Sequence, residues 1–499
     1  MIYQIGLFCI QFCMFWRFFG KGSQSVLLIW AVFLFSSLVY FYGLSLETLL
    51  LLDRLWFISR DFLVISVSAG LFFISFKWGR FLIPASILVA IITLWLYFNS
   101  PGKYTFKSLH LDENAELLVL ADKNSLIKDE ILLLNGVKKM QKAFTPKDEY
   151  NTELDEYYKI DVETQTYEEW IFILEKVKGF KGVIYVEPNF SYNLFLPENI
   201  ITNDTGNEPV TNDPLSGEQW ALNKLDILGV HELLANKNLS IKKKGILAIL
   251  DTGIDQQHED LSDYYISVSP GSDLDPKGHG THCAGIASAV TGNNKGIASL
   301  NFGSGLFSVT SIRVLNAAGY GTKESIVDGI IEAVDKGASV ISLSLGGPGN
   351  PLHQRIYKKA VNYASSKGTV IVVAAGNSNR NAKEYAPANV KGVITVAAID
   401  ENLSKASFSN KLMDIKMPVS APGVNIMSTL PNHQYGILSG TSMATPYVAS
   451  LVTILKTLKP QLTTQEIFTI LNRTGSETKD TKATGKLIQP KKAIENILK

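Results

Sequence analysis

A chain of 499 residues is too long for one ordinary hydrophobic core and calls for two or three folding units. Its 47 basic and 46 acidic side chains leave a formal charge of +1 and are interspersed along the chain, which argues against nucleic acid as a partner. The 3 cysteines, Cys9, Cys13 and Cys283, give no disulfide framework, because two share one apolar stretch and the third is remote.

The first hundred residues are dominated by Leu, Ile, Phe, Val and Trp, and the composition changes near Asn99. Val26 to about Leu46 is an uncharged apolar run, long enough for the roughly 20 residues a membrane-crossing helix needs. Segments of about Asp61 to Phe76 and Phe81 to Phe98, joined by Lys77-Trp78-Gly79-Arg80, read as a helical hairpin. Ile2 to Phe19 is apolar but interrupted by Gln4, Gln11 and Arg17, so residues 1–100 are read as a bundle of three or four spans in the lipid bilayer. Arg17, Lys21, Lys77 and Arg80 belong inside by the positive-inside bias, which puts the residues after Phe98 outside the cytoplasm; Arg54 and Arg60 oppose it.

Residues 104–195 read as a small α+β unit. Leu117 to Leu120 predicts a strand, and apolar positions at Leu126, Ile127, Ile131, Leu134, Val137 and Met140 predict one helix. A strand over Tyr158 to Val162, a helix carrying Trp170, Ile171, Leu174 and Val177, and a strand over Val183 to Val186 complete a ferredoxin-like pattern. Residues 196–217, rich in Asn, Asp, Pro, Thr and Gly, predict an exposed, cleavable linker.

From residue 218 onward, strands at 246–250, 309–315, 339–345, 370–375 and 393–398 alternate with helical patterns over Lys323 to Lys336 and His353 to Lys367, an α/β parallel-sheet architecture. The first strand ends in Asp251-Thr252-Gly253, where functional groups of such sheets gather. Gly278-His279-Gly280-Thr281-His282 surrounds an imidazole with small residues. The two histidines lack the acidic partner of a zinc-protease pattern, which argues against a metal there and leaves His282 a structural role. Ser439-Gly440-Thr441-Ser442-Met443-Ala444-Thr445-Pro446 opens an apolar helix, where Ser442 alone would read as a helix cap.

Taken together, the three motifs resemble those of the subtilisin family, in the order Asp, His, Ser, over roughly Gln219 to Lys499. The resemblance implies a serine endopeptidase acting through an acyl-enzyme on proteins or peptides, with Asp251, His279 and Ser442 as triad and no cofactor in the chemistry. It implies an oxyanion donor at Asn377 and a substrate cleft walled by Ser344, Leu345, Gly346, Ala375 and Gly376, with Glu384 and Tyr385 near the pocket. Val186-Glu187-Pro188-Asn189 resembles the end of subtilisin-type propeptides, so 104–195 is expected to assist folding and then inhibit, with maturation in 196–217. Asp260, with Asn294 and Asn293 from a nearby loop, is expected to hold a structural calcium ion, although Asp and Asn equally serve turns. Cys283 reads as a small buried hydrophobe. The remaining alternatives are a silent subtilase-fold binding or sensing module, which a missing triad member would have favoured, and a membrane bundle acting as sensor or transporter, against which stand its mainly loop-confined charges.

Overall fold

The computed structural model describes residues 111–499 except 113, 123–126, 149–151, 164–166, 195–207, 238–240, 242, 304 and 350–353. The chain divides into two units, Met1–Lys103 and Tyr104–Lys499. The membrane spans expected over 1–100 lie outside the described residues, and among the described residues no helix is long and apolar enough to cross a membrane.

The second unit begins with four strands, β1 (Leu117–Ala121), β2 (Val137–Lys142), β3 (Tyr157–Val162) and β4 (Val183–Pro188). They form an antiparallel sheet of order β2-β3-β1-β4, with helices Ile127–Leu132 and Tyr167–Lys178 as the two crossovers. This is the split β-α-β topology of ferredoxin-like folds. One expectation is corrected: the helix read through Met140 stops at Leu132, and Val137 to Met140 belong to β2. Gly136 adopts φ +90° in a turn closed by Val137 N–H to Leu134 O (3.1 Å), which redirects the chain into β2, and the following Val-Lys-Lys-Met-Gln-Lys carries few apolar side chains to sustain a helical face. Leu117 and Val119 pack against this unit's own helices, whereas Leu118 and Leu120 join the core of the following domain. That is why β1 is a continuous apolar run and not an alternating one.

The peptidase-like domain is built on a seven-stranded sheet of order β17-β14-β13-β11-β9-β6-β7, parallel at every pairing. The strands are β6 (Gly245–Asp251), β7 (Phe307–Arg313), β9 (Val340–Leu343), β11 (Val370–Ala374), β13 (Ile394–Ile399), β14 (Pro418–Pro422) and β17 (Lys486–Leu487). Between them in the chain lie β5 (Ser191–Asn193), β8 (Tyr320–Thr322), β10 (Gly347–Pro348), β12 (Tyr385–Ala386), and the hairpin β15 (Ile426–Leu430) and β16 (Gln434–Leu438). Leu247 and Ile249 face a core shared with helices His279–Ser288 and Thr441–Leu458; Ala248 and Leu250 face one shared with Lys323–Asp335 and Arg355–Ser366. The sheet is thus covered on both faces, as parallel sheets require.

The five predicted strands and both predicted helices are present. The reading did not include β14, β17 or the hairpin β15–β16. A second difference concerns the linker: within 196–217, residues 208–217 are folded against the peptidase-like domain. Asp213 accepts from the Gly292 and Asn293 amides, and Leu215 donates to Gly296.

Candidate active site

Asp251 is delivered by the carboxyl end of β6, His279 opens the helix His279–Ser288, and Ser442 is the second residue of helix Thr441–Leu458. His279 Nδ1 lies 2.7 Å from Asp251 Oδ1, and both side chains are buried. Facing a carboxylate oxygen, which accepts, Nδ1 is the protonated ring nitrogen and Nε2 is left as the basic one. Nε2 has no hydrogen-bond partner among the described residues. Close approach of the two elements requires glycine at 280, where a Cβ would lie 2.1 Å from the Gly253 carbonyl oxygen.

Ser442 Oγ donates to the Ser344 carbonyl at 2.9 Å, and Ser344 Oγ donates back to the Ser442 carbonyl at 2.9 Å. The second bond is made available by Pro446, which has no N–H to give to the carbonyl four residues earlier. Cys283 Sγ approaches the same carbonyl at 3.5 Å. The potential ligand atoms of Asp251, His279 and Cys283 also lie within 4.8 Å of one another, so Cys283 touches the Ser442 backbone on one side and neighbours the Asp–His pair on the other. These three groups do not make a metal site: Nδ1 is committed to Asp251, and burial pushes the Cys283 thiol well up, keeping it protonated.

Asn377, just past β11, accepts at Oδ1 from Thr441 N (2.9 Å) and Thr441 Oγ1 (2.8 Å). Its amide nitrogen is thereby turned towards the Gly440–Ser442 turn, where a Cβ on Gly440 would lie 3.4 Å from it. The Ser442 N–H belongs to the first helical turn, which has no intrahelical acceptor. Ser344-Leu345-Gly346 follows β9, and Ala375-Gly376 is held by Asn410, whose Nδ2 donates to Ala375 O at 2.8 Å. Tyr385 is buried in β12 and Glu384 is exposed beside it.

His282 is structural. It is fully buried, its Nε2 lies 3.1 Å from Gly436 O, and burial drives its pKa down to about 3. Asp260 is also fully buried, and burial raises its pKa to about 7, with Asp213 and Glu259 adding to the rise. Its neighbour is Asn293, whose Nδ2 donates to Oδ1 at 2.9 Å; Asn294 instead accepts from Asn212 at 3.1 Å. Thr441, Asp213 and Asp275 were not singled out from the sequence. An acidic residue four before His279 in Asp275-Pro276-Lys277-Gly278 was the available signal for the last.

A model described as the subtilase family matches residues 242–488. Thermitase of Thermoactinomyces vulgaris is 46% identical over 215 residues, 42% of this chain and 74% of that protein. Subtilisin DY of Bacillus licheniformis is 36% identical over 247 residues, 48% of this chain and 86% of that protein. A solved protease structure from Pseudoalteromonas arctica superposes with TM-score 0.50 and 30% identity, covering 58% of this chain and 99% of its own. The fold and site define an α/β serine endopeptidase. The chain belongs to the subtilase family.

Burial opposes a charge on His279, but the Coulombic attraction and hydrogen bond of Asp251, aided by Asp275, outweigh it and hold the imidazole above its ordinary range. A base must be neutral to accept a proton, so activity is lost as pH falls through this raised value. The rate of fluorophosphonate labelling, measured against pH, should show its acid limb above pH ~6.5, the ordinary histidine value.

Proposed function

We propose that this chain is a membrane-tethered subtilase that cleaves proteins or peptides outside the cytoplasm, using Asp251, His279 and Ser442, and that residues 104–195 restrain it before maturation. The observation that carries the catalytic assignment is the buried 2.7 Å Asp251–His279 contact, which leaves His279 Nε2 without a hydrogen-bond partner among the described residues. The Ser442 hydroxyl swings from the Ser344 carbonyl to Nε2, gives up its proton and attacks the scissile carbonyl. Asp251 stabilises the imidazolium, while Asn377 Nδ2 and the Ser442 N–H receive the oxyanion. The imidazolium then protonates the leaving amine, and water repeats the sequence to release the acyl group. Ser442→Ala should abolish fluorophosphonate labelling. Asn377→Leu should lower kcat by ~10²–10³, the cost measured for the corresponding donor of subtilisin, with KM little changed.

Support for the restraining role comes from how residues 111–194 sit on the peptidase domain. β5 lies antiparallel on β8, Ser191 opposite Thr322, Tyr192 opposite Gly321 and Asn193 opposite Tyr320. Tyr192 is buried in the cluster that holds Leu345 and packs against Gly347, so strand addition to β8 brings this segment next to the residues expected to wall the cleft. Upstream, Glu187 and Lys323 form a fully buried pair at 2.8 Å, and Lys323 Nζ also donates to Pro188 O. Removing one partner of such a pair strands a buried charge and costs ~3–5 kcal/mol. Lys323→Met should therefore loosen the segment and raise the labelling rate of uncleaved chain. The exchange Glu187→Lys with Lys323→Glu should restore restraint; equal labelling in all three proteins would refute it.

The membrane tether rests on the apolar first hundred residues and their charged flanks. Asp260 and Asp213, two buried carboxylates of which Asp213 adds to the raised pKa of Asp260, fit a structural calcium ion, with Asn293 as neighbouring amide. Bound calcium would supply the missing positive charge. Because the Asp260 pKa is raised when folded, metal-free stability declines as pH climbs from the ordinary carboxylate range through about 7. Chelation should lower the unfolding midpoint more at pH ~8 than at pH ~6, and Asp260→Asn should abolish that difference.

A further inference from the structure

Asp275 lies in the loop before His279, is 6% exposed, and is not one of the reacting groups. Its Oδ1 accepts from Thr252 Oγ1 (2.8 Å), Gly278 N (2.8 Å) and Lys277 N (3.1 Å). Its Oδ2 accepts from Thr281 N (2.8 Å) and Thr281 Oγ1 (2.7 Å). Thr252 closes the circuit, since its Oγ1 accepts from Gly280 N at 3.0 Å and its N–H donates to Asp251 Oδ1 at 2.8 Å. Both elements carrying the Asp–His pair are therefore tied to one carboxylate.

We infer that Asp275 is a positioning residue for the peptidase reaction: its carboxylate clamps the Asp251 turn to the first turn of the His279 helix and so sets the distance between aspartate and imidazole. The inference rests on the reading of His279 as the general base. Five donors converge on two oxygens, a demand that a carboxylate meets and an amide does not, because an asparagine would turn its own N–H groups towards donors. The Thr281 amide is in the first turn of the helix, where negative charge is also favoured by the helix dipole. A residue that only shaped the turn would not need to bond to both sides of the Asp–His contact.

The charge contributes as well as the geometry. The titratable or charged groups acting on His279 are Asp251, Asp275 and Lys277, with His282 and Cys283 one turn further along its own helix. Asp275 stabilises the imidazolium, so neutralising it moves the histidine pKa down and the acid limb to lower pH.

The test is the fluorophosphonate labelling rate of the full chain across pH for wild type, Asp275→Asn and Thr281→Val, with thermal melting of each. Asp275→Asn should label at least ~10-fold more slowly on the plateau, the size of effect expected when a catalytic group is misplaced. Its acid limb should also shift to lower pH. Thr281→Val, which keeps the carboxylate but loses one donor, should label several-fold more slowly with the limb unmoved. An Asp275→Asn protein with wild-type rate and limb overturns the inference and leaves the triad reading intact; a wild type that labels neither uncleaved, nor matured, nor with Lys323→Met overturns the triad reading and this inference with it. If Asp275→Asn does not fold, Thr281→Val decides alone: a wild-type rate overturns the clamp and a reduced rate at unchanged melting temperature supports it.

Discussion

The contact between His279 Nδ1 and Asp251 Oδ1 is the constraint on which the rest of the site depends. It buries a carboxyl group and an imidazole together, which is tolerable only because each meets the other's hydrogen-bonding need. To make that contact, the end of a parallel strand and the start of a helix must approach more closely than any side chain at position 280 would allow. Glycine there follows from packing.

The serine is held by a different device. Helix Thr441–Leu458 is buried nearly throughout and runs across the sheet face, so its first turn has little freedom. Pro446 withdraws one backbone donor from that turn, and the carbonyl it leaves free is taken by Ser344, just past β9. Ser442 and the segment after β9 are thereby locked to each other, which pre-organises the first turn of the helix. Asn377 is aimed in the same manner, by two bonds from Thr441 to its oxygen that leave its nitrogen facing the turn.

The small N-terminal sheet makes sense only as a two-sided object. Its helices cover one face, and the other is covered by helices Lys323–Asp335 and Arg355–Ser366 of the peptidase domain. Charges cross the same boundary, with Lys159 on Glu324, Asp148 on Lys367 and Glu187 on Lys323. The first two are partly exposed and worth little; the third is buried and costly to break.

Much of this was legible in the residues. Asp251, His279, Ser442 and Asn377 each stood in a motif whose neighbours are glycine, alanine or threonine, and the core strands announced themselves as runs such as Ile246 to Leu250 because both faces are buried. What local pattern could not give was anything decided by partners distant in the chain. Val137 to Met140 reads as a helical continuation until β3 offers a strand edge. β14 and β17 pair with each other although 486 and 419 are far apart in sequence. Asp213 looks like a linker residue, yet its carboxylate collects amides from the loop at 292–293. Asp275 looks like a turn residue, and only the fold shows five donors meeting on it. The sequence by itself determined the chemistry, since the reacting groups and the small residues around them must be specified locally. The tertiary structure alone decided which buried polar groups hold them in place, because a hydrogen bond is satisfied by whichever donor the packing brings within 3 Å or so, however distant in the chain.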